Sequence, residues 1–412
     1  MKKQLDPMVR EMLLNTWATF VYFFSQWLLT IIITRFSGYE DSGIFTLAVS
    51  FANIFGYIGK FGVRSAQVGD VAYRYSDGQY FTARVLTSVA SLVPFIIALL
   101  FCGYHPELSA CCVAMMCYKL LEGFDDMIIG SLQRRHRYEW IAVSYTLKAV
   151  LTLAAFTGLI LAGVPLVLCI CAMALAYLLV ILFYDSVRVK KLDFFHWSVK
   201  ELKTLLWQCL PLMAMTILDA MLVYLPRNSV EQIYGSEELG YYGSISIVVV
   251  VLSTLAGAVW GSVLTRYSEI VHSRNWKAFR NLTVKIALVL AVFSATVFVV
   301  GYLIGPFFFE ILYGEGILSH MDLLVPVLLN ALLLLINSFF VCIFVPFGRR
   351  GVLMATDAAA VAVCMLCTTG LTEQWGSVGA SISLMIALAV RFILLVVAAV
   401  LCTNQAKRVC QN

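Results

Sequence analysis

Apolar residues run along this chain in stretches of about 20, separated by short polar segments, and about 20 residues of helix cross the hydrocarbon layer of a bilayer. The pattern predicts twelve membrane-spanning helices, near residues 12–36, 43–63, 83–103, 108–130, 140–162, 164–184, 205–226, 241–263, 284–305, 323–345, 351–370 and 377–402. None of the polar segments between these runs is long enough to fold as a soluble domain. We therefore predict an all-α, polytopic membrane protein.

The composition indicates the same class of protein. Hydrophobic residues make up 61% of the chain, charged residues only 13%, and the mean hydropathy is +0.89. A soluble domain has about a quarter of its residues charged, and its core could not enclose this much apolar surface. A lipid bilayer can cover that surface, so the composition supports the prediction made from the apolar runs.

The basic residues predict the orientation of the chain, because loops rich in Lys and Arg stay on the cytoplasmic side of a membrane. Such residues cluster in alternate loops, at Arg134, Arg135, Arg137, Arg188, Lys190, Arg274 and Lys277. We therefore expect a multi-pass protein of the cytoplasmic (inner) membrane with both termini in the cytoplasm. The net charge of +5 is spread over these loops without interleaved aromatic residues, so membrane lipids are expected partners and nucleic acid is not.

Sequence motifs give no support to an enzyme. The five histidines are scattered near span ends and in loops, and no Ser/His/Asp spacing, zinc-protease motif or phosphate loop occurs. Cys364 and Cys367 form a C-x-x-C inside a predicted span, where cysteine behaves as a small apolar residue. We predict no catalytic site, no metal and no bound cofactor. Without direct use of ATP, a gradient of H+ or Na+ is the remaining energy source.

The two halves of the chain repeat a short motif. Residues 38–45 follow the first predicted span and residues 235–242 follow the seventh, and both read G-x-E-(D or E)-x-G-x-aromatic. Two six-helix halves that run in the same direction enclose a substrate path between them in many transporters. We predict an N-terminal lobe at 1–190, a cytoplasmic amphipathic linker at 191–204 and a C-terminal lobe at 205–412.

Three segments carry a resemblance to a known family: Gly43-Ile44-Phe45, Phe61-Gly62-Val63-Arg64 and Leu239-Gly240-Tyr241-Tyr242. The chain resembles the polysaccharide-transporter, or O-antigen flippase, branch of the multidrug/oligosaccharidyl-lipid/polysaccharide exporter superfamily over essentially its whole length. The resemblance implies a V-shaped, two-lobed transporter that moves lipid-linked oligosaccharides by alternating access. The first helix lacks the acidic residue common in multidrug members and the deep arginines of lipid II flippases, since Arg35 lies at its outer end.

Ionisable residues inside the predicted spans are the candidate functional residues, because each costs about 2.5–3.5 kcal/mol to insert and marks a cavity or an ion pair. The cations predicted to bind a lipid pyrophosphate are Arg391, Lys148, Lys119, Arg64 and Arg35. The carboxylates predicted to bind the coupling ion are Asp357, Asp219, Glu122 and Asp126.

Depth along the helices gives more specific expectations. Asp126 and Lys148 lie at similar depth on neighbouring spans, so we predict an ion pair between them. Arg391 lies near mid-depth and is the first candidate for phosphate binding, whereas Asp357 has no evident cation at its own depth. Asp219 is a possible structural partner of Arg391. Structural ion pairs stay open as the alternative for the buried charges, and ordinary topology charges for Arg64 and Arg35.

The sequence thus predicts a flippase for undecaprenyl-pyrophosphate-linked oligosaccharide, the repeat unit of a surface polysaccharide or O-antigen, driven by ion-coupled alternating access. Other polysaccharide-assembly proteins are further expected partners. One alternative is a multidrug or toxic-compound antiporter on the same scaffold. A second alternative, a membrane glycan polymerase or ligase, is disfavoured because no large outer loop is available to hold an acceptor.

Overall fold

The computed structural model describes residues 7–70, 73–189 and 199–409, and within these ranges the regular structure is helical throughout. Its helices are α1 (Pro7–Phe36), α2 (Tyr39–Lys60), α3 (Val63–Gly69), α4 (Asp77–Cys102), α5 (Pro106–Arg134), α6 (Tyr138–Leu161), α7 (Leu166–Val180), α8 (Val199–Tyr234), α9 (Ser236–His272), α10 (Trp276–Tyr313), α11 (Leu324–Phe344) and α12 (Arg350–Val409). A π-helical turn at Ile181–Asp185 extends α7, and a 3₁₀ segment at Glu315–Leu323 precedes α11.

The predicted apolar runs coincide with these helices. In α12, the non-helical backbone of Trp375 and Gly376 separates the last two predicted runs, and Gly376 takes the left-handed φ of 60° that glycine tolerates. Among the described residues, nine helices are long and apolar enough to cross a membrane, with α12 counted once. The chain is therefore an all-helical, multi-pass membrane protein, as predicted.

The chain divides into two compact units, Met1–Ala220 and Met221–Asn412, so the division falls inside α8. The first part of α8 belongs to the first unit because its Leu205 and Cys209 are buried against Val63, Tyr80 and Met127. The predicted linker at 191–204 lies partly outside the described residues, and its residues 199–204 begin α8. The lobe boundaries at 190 and 205 stay a prediction.

Helix α2 is largely buried in the first unit, in contact with α4 and α5. Glycines allow this close approach: a Cβ on Gly56 would lie 3.4 Å from Lys119 Cβ, and one on Gly59 would lie 3.2 Å from Ser91 Oγ. Small residues let helix backbones come together inside a bilayer, where burial of apolar surface gives no driving force. The same closeness brings α2 next to the polar side of α5.

The loop between α3 and α4 is anchored to the end of α5 by Arg134. Its Nη1 lies 3.0 Å from Asp77 Oδ1, and its guanidinium lies over the ring of Tyr73, 4.2 Å from the centroid. Asp70 accepts hydrogen bonds from the backbone N–H groups of Arg74 (3.0 Å) and Tyr75 (3.1 Å). Partial burial raises the pKa of Asp70, but these hydrogen bonds outweigh it, so the pKa lies below its ordinary value.

In the second unit, α11 packs against α9 and α12. Asn330 Nδ2 donates to the backbone oxygen of Ser381 (2.9 Å), and Asn337 Nδ2 donates to that of Leu388 (3.1 Å). The two asparagines are seven residues apart, so they lie on the same face of α11. These hydrogen bonds fix the final segment of α12, which carries Arg391.

Candidate functional site

Six ionisable side chains from four helical segments come together in the first unit. Lys60 Nζ and Lys119 Nζ lie 3.6 and 3.0 Å from Glu122 Oε2. Arg64 Nη1 lies 2.6 Å from Asp126 Oδ1, and Arg84 Nη2 lies 3.7 Å from Asp126 Oδ2. We call this group the cationic cluster: Lys60, Arg64, Arg84, Lys119, Glu122 and Asp126. Its four cations and two carboxylates leave a formal charge of +2.

Local backbone structure explains how the cationic cluster forms. Helix α2 ends in two left-handed residues, Phe61 (φ 47°) and Gly62 (φ 67°), and the chain resumes as α3 one residue before Arg64. Arg84 Nη1 donates to the backbone oxygen of Gly59 (3.1 Å). The last carbonyl groups of a helix lack partners within it and attract cations. The end of α2 therefore holds the buried Arg84.

The cationic cluster is closed on one side and accessible on the other. The Arg84 side chain is fully buried, whereas 29% of Arg64 and 27% of Lys60 are exposed. Arg64 Nη2 also donates to Gln133 Oε1 (3.3 Å). Guanidinium and ammonium groups with part of their donors accessible can bind phosphate oxygens, Arg through a planar fork and Lys as a point charge.

A second charged group in the first unit is sealed from solvent. Lys148 Nζ lies 2.6 Å from Asp125 Oδ2 and 2.8 Å from Asp185 Oδ2, and the three side chains are 0–2% exposed. The ammonium also donates to Ser144 Oγ (2.8 Å). Asp185 reaches this position because it ends the π-helical turn after α7. We call Asp125, Lys148 and Asp185 the buried triad.

Four tyrosines, Tyr22, Tyr118, Tyr145 and Tyr177, connect the cationic cluster with the buried triad. The Tyr22 hydroxyl donates to Glu122 and lies 3.0 Å from that of Tyr118. The Tyr177 hydroxyl donates to Asp125 Oδ2 (2.9 Å). The ring of Tyr22 lies 5.4 Å from that of Tyr145 and 6.4 Å from that of Tyr177, measured between centroids. We call these four residues the tyrosine layer.

The predicted sites in the second unit form a buried ion pair. Arg391 Nη2 lies 2.5 Å from Asp357 Oδ1, and the side chains are 6% and 0% exposed. The prediction that Asp357 has no cation nearby was therefore wrong. The sequence argument used only the depth of each residue, counted from the helix ends, and depth does not show in which direction a side chain points. The carboxylate beside Arg391 is Asp357, where the sequence suggested Asp219. A substrate-binding role for Arg391 stays a prediction.

The predicted ion pair between Asp126 and Lys148 was also wrong. Lys148 binds the adjacent Asp125, while Asp126 faces Arg64 and Arg84. Successive residues of an α-helix point about 100° apart, so residues at equal depth on neighbouring helices need not meet. The two aspartates of α5 therefore belong to different groups, one partly accessible and one sealed.

The other predicted site residues lie in different surroundings. Lys119, Glu122, Asp126 and Arg64 are together in the cationic cluster, and Glu122 faces two lysines. Arg35, at the end of α1, and Asp219, in α8, are both exposed.

Sequence reasoning missed Lys60, Arg84 and Asp185 as site residues. Each lies within a few residues of the end of a predicted span, where a charge is expected to serve topology alone. The signal that could have identified Arg84 is its place about two turns inside α4, after the capping box of Ser76 and Gln79 that starts the helix. A start at Asp77 places Arg84 well inside the helix.

Comparison with solved structures shows the fold. An inward-facing multidrug resistance MATE family transporter of the MOP superfamily aligns with a TM-score of 0.74 and 14% identity, over 94% of this chain and 96% of that chain. The lipid II flippase MurJ, in an inward closed conformation, aligns with a TM-score of 0.76 and 13% identity, over 95% of this chain and 87% of that chain. The Vibrio cholerae MATE transporter VcmN in the bent form aligns with a TM-score of 0.61 and 13% identity, over 94% of this chain and 95% of that chain.

These identities are low, so the likeness establishes a shared fold. No curated protein sequence matches the chain significantly. A family model described as "Polysaccharide biosynthesis protein" matches residues 32–321, well over half of the 412 residues. The resemblance seen in the short sequence motifs is thereby confirmed at the level of the family. The chain, whose fold is that of MATE transporters and MurJ, belongs to the polysaccharide biosynthesis protein family.

Proposed function

We propose that this protein is a flippase that carries a lipid-pyrophosphate-linked oligosaccharide across the cytoplasmic membrane, with both termini in the cytoplasm. The observation that carries the proposal is the cationic cluster, whose formal charge of +2 lies in a partly accessible position of the first unit. The family match supports a role in polysaccharide biosynthesis. We propose a transporter without catalytic residues.

The charge balance of the cationic cluster suits an anionic headgroup. Charged groups in a membrane protein are expensive, so an excess of cations needs an anion to offset it during function. In the structure, the Asp126 carboxylate forms an ion pair with Arg64, and the Glu122 carboxylate forms ion pairs with Lys60 and Lys119. A pyrophosphate offers more oxygens and more charge than either carboxylate. It can therefore displace them from the accessible sides of Arg64 and Lys60.

Alternating access is the transport mechanism that we propose, with an ion gradient as its energy source. One similar structure is described as an inward-facing and another as an outward-facing conformation of a MATE family transporter. Two conformations with access from opposite sides are what this mechanism requires. A charge that moves through a potential of 100 mV supplies about 2.3 kcal/mol. A few ions per cycle therefore provide enough free energy for uphill transport.

A multidrug antiporter is the competing function, because the similar MATE structures carry that description. Many exported toxic compounds are organic cations, and a site for cations needs an excess of carboxylates or aromatic faces. The cationic cluster has the opposite charge balance. We therefore favour the flippase over the antiporter.

The test is deletion of the gene, followed by complementation. For a flippase, lipid-linked repeat units accumulate on the cytoplasmic side of the membrane, and sensitivity to cationic drugs does not change. Complementation with Arg64→Ala restores export at a rate lowered about tenfold or more, because a hydrogen bond to a charged group contributes about 1.5–3 kcal/mol. Arg266→Ala, at an exposed site with 66% of its side chain accessible, is the control and restores full export. Drug sensitivity with normal lipid-linked intermediates would instead indicate the antiporter.

A further inference from the structure

The buried triad has two carboxylates and one ammonium group, and this imbalance identifies a binding site for a proton. We propose that the triad of Asp125, Lys148 and Asp185 takes up one proton when it is sealed, and that its release and uptake drive the transport cycle. The second part of this inference rests on the flippase function proposed above. The first part, the binding of one proton, stands independently of what the protein transports.

Two ion pairs and a hydrogen bond hold the Lys148 ammonium group in its charged form. A lysine side chain has three N–H donors. Around the ammonium lie the carboxylate oxygens of two ion pairs, Asp125 Oδ2 at 2.6 Å and Asp185 Oδ2 at 2.8 Å, and Ser144 Oγ accepts a hydrogen bond from it at 2.8 Å. The rings of Tyr177 and Tyr145 lie 5.0 and 5.7 Å from Nζ. Every contact of Lys148 stabilises its charged form, so the ammonium is not the group that exchanges the proton.

The two carboxylates cannot both be ionised at low cost. With Lys148 charged, two carboxylates give the triad a net charge of −1 in a site that is 0–2% exposed. An uncompensated charge in such a site costs several kcal/mol, and the usual response is neutralisation by a proton. One proton on Asp125 or Asp185 makes the triad neutral. The pair of carboxylates shares this proton, so it belongs to the triad as a unit.

Unfilled acceptors mark where the proton can lie. Asp125 Oδ1 and both carboxylate oxygens of Asp185 are buried without a hydrogen-bond donor among the described residues, and Asp185 Oδ2 meets Lys148 only as an ion pair. The π-helical turn that places Asp185 here is a departure from regular helix that recurs at functional sites. A carboxylate oxygen without a donor is the atom on which a proton removes an unfavourable charge.

The groups that face the triad do not supply the missing charge. The titratable groups around the triad are Tyr22 from α1, Tyr118 from α5, Tyr145 from α6 and Tyr177 from α7, with Glu122 and Asp126 of α5 beyond these tyrosines. Arg188, which follows Asp185, lies over the ring of Tyr184 and donates to its backbone oxygen. Arg64 interacts with Tyr145, but its short ion pair is with Asp126. Within the part of the chain that the structure describes, Lys148 is the cation that forms ion pairs with Asp125 and Asp185.

The tyrosine layer provides a path from proton binding to substrate binding. Tyr177 binds Asp125 of the triad, and Tyr22 binds Glu122 of the cationic cluster. The rings of Tyr22 and Tyr177 are in contact at 6.4 Å. A conformation that opens the triad to water lets it lose its proton, and the new charge shifts Tyr177. This movement reaches Glu122 and changes which cations are available to the substrate.

Infrared spectroscopy of the purified full chain in detergent tests the proton site directly. At neutral pH, we expect the spectrum of the wild type to contain the carbonyl stretch of one protonated carboxylic acid in the triad. Asp185→Asn and Asp125→Asn each remove this band, because each variant leaves a single carboxylate, which Lys148 keeps ionised. Lys148→Met leaves two carboxylates without a cation, and the band doubles in area. The double variant Asp357→Asn with Arg391→Gln, which removes a charge-balanced pair, leaves the band unchanged.

The proposal is overturned if both Asp185→Asn and Asp125→Asn keep the wild-type band, or if Lys148→Met does not enlarge it. The carboxamide has the shape of a protonated carboxyl group, so at least one of the asparagine variants is expected to fold. Circular dichroism and elution from a sizing column establish folding before the spectra are compared.

Vesicles test the link to transport. Wild-type protein reconstituted with undecaprenyl-pyrophosphate-linked N-acetylglucosamine moves this probe faster, and to a higher final ratio, under an imposed pH gradient. Asp185→Asn equilibrates the probe at one rate with or without the gradient. If the wild type does not move the probe, the flippase function fails while the infrared result still stands. If Asp185→Asn responds to the gradient as the wild type does, the coupling role of the triad is wrong.

Discussion

Arg64 and Asp126 form a partly exposed ion pair in the first unit, with Nη1 and Oδ1 2.6 Å apart and side chains 29% and 18% exposed. The neighbouring Asp125, one residue earlier on α5, is sealed against Lys148. Glu122 and Asp125 of α5 are thus held by lysines, whereas Asp126 pairs with the partly exposed Arg64. Because both side chains keep part of their surface accessible, an incoming anion can replace the Asp126 carboxylate on Arg64 without leaving the guanidinium unpaired.

Inorganic pyrophosphate is expected to compete with Asp126 for Arg64. Asp126→Asn raises the formal charge of the cationic cluster from +2 to +3, and removal of the internal competitor tightens pyrophosphate binding to the purified protein about tenfold, since a charge-assisted hydrogen bond contributes about 1.5–3 kcal/mol. Arg64→Ala weakens binding by a similar factor. Isothermal titration calorimetry at low salt measures both. Equal affinity in the wild type and both variants would mean that this pair does not bind the headgroup.

Arg391 and Asp357 are expected to stabilise the second unit as a pair. Arg391→Leu leaves the fully buried Asp357 without the cation that lies 2.5 Å from it, and loss of one partner of a buried pair costs about 3–5 kcal/mol. Asp357→Leu combined with Arg391→Leu recovers much of that loss because no buried charge remains. Thermal unfolding in detergent, followed by tryptophan fluorescence, compares the variants. A double variant that is no more stable than Arg391→Leu would show that the pair is not the origin of the loss.

Gly379→Ala is expected to disrupt α12. A Cβ at this position would overlap the backbone oxygen of Leu371, across the break at Trp375 and Gly376, and backbone cannot move aside as a flexible side chain can. Overpacking of this kind costs about 1–3 kcal/mol or more. Gly370→Ala on the same helix is the matched control, because its Cβ would meet no atom within 4 Å. The yield of monodisperse protein and the unfolding temperature should fall for Gly379→Ala only.

The lowered pKa of Asp70 predicts that the stability of the protein depends on pH. Its pKa is lower in the folded protein than the value of about 3.9 for an unfolded chain, so the ionised group stabilises the fold above that pH. This contribution is lost as the pH falls through the lower, folded pKa. At neutral pH, Asp70→Asn should unfold at a lower temperature than the wild type, and the difference should shrink below about pH 4. Glu107→Gln, at an exposed position, is the control and should show no such convergence.

The architecture of the membrane spans followed from the sequence because the thickness of the bilayer fixes the length of an apolar run. The last two runs, separated in the sequence by Trp375 and Gly376, are likewise separated in the structure at these residues. The sequence also placed three of its candidate residues on one helix. Lys119, Glu122 and Asp126 of α5 are three and four residues apart, a spacing that puts them on one face, and all three belong to the cationic cluster.

The partners of these charges depended on tertiary packing. Hydropathy gives the depth of a residue in the membrane but not its direction around the helix axis, and a difference of one residue rotates a side chain by about 100°. Asp126 was therefore assigned to Lys148, which the structure places against Asp125 and Asp185. Lys60, Arg84 and Asp185 stand near span ends, where only the contacts of the folded helices distinguish a site residue from a loop charge. The sequence alone determined a family, an all-helical membrane fold and a helix rich in charge, while the packing of the helices decided which of those charges are accessible and which are sealed.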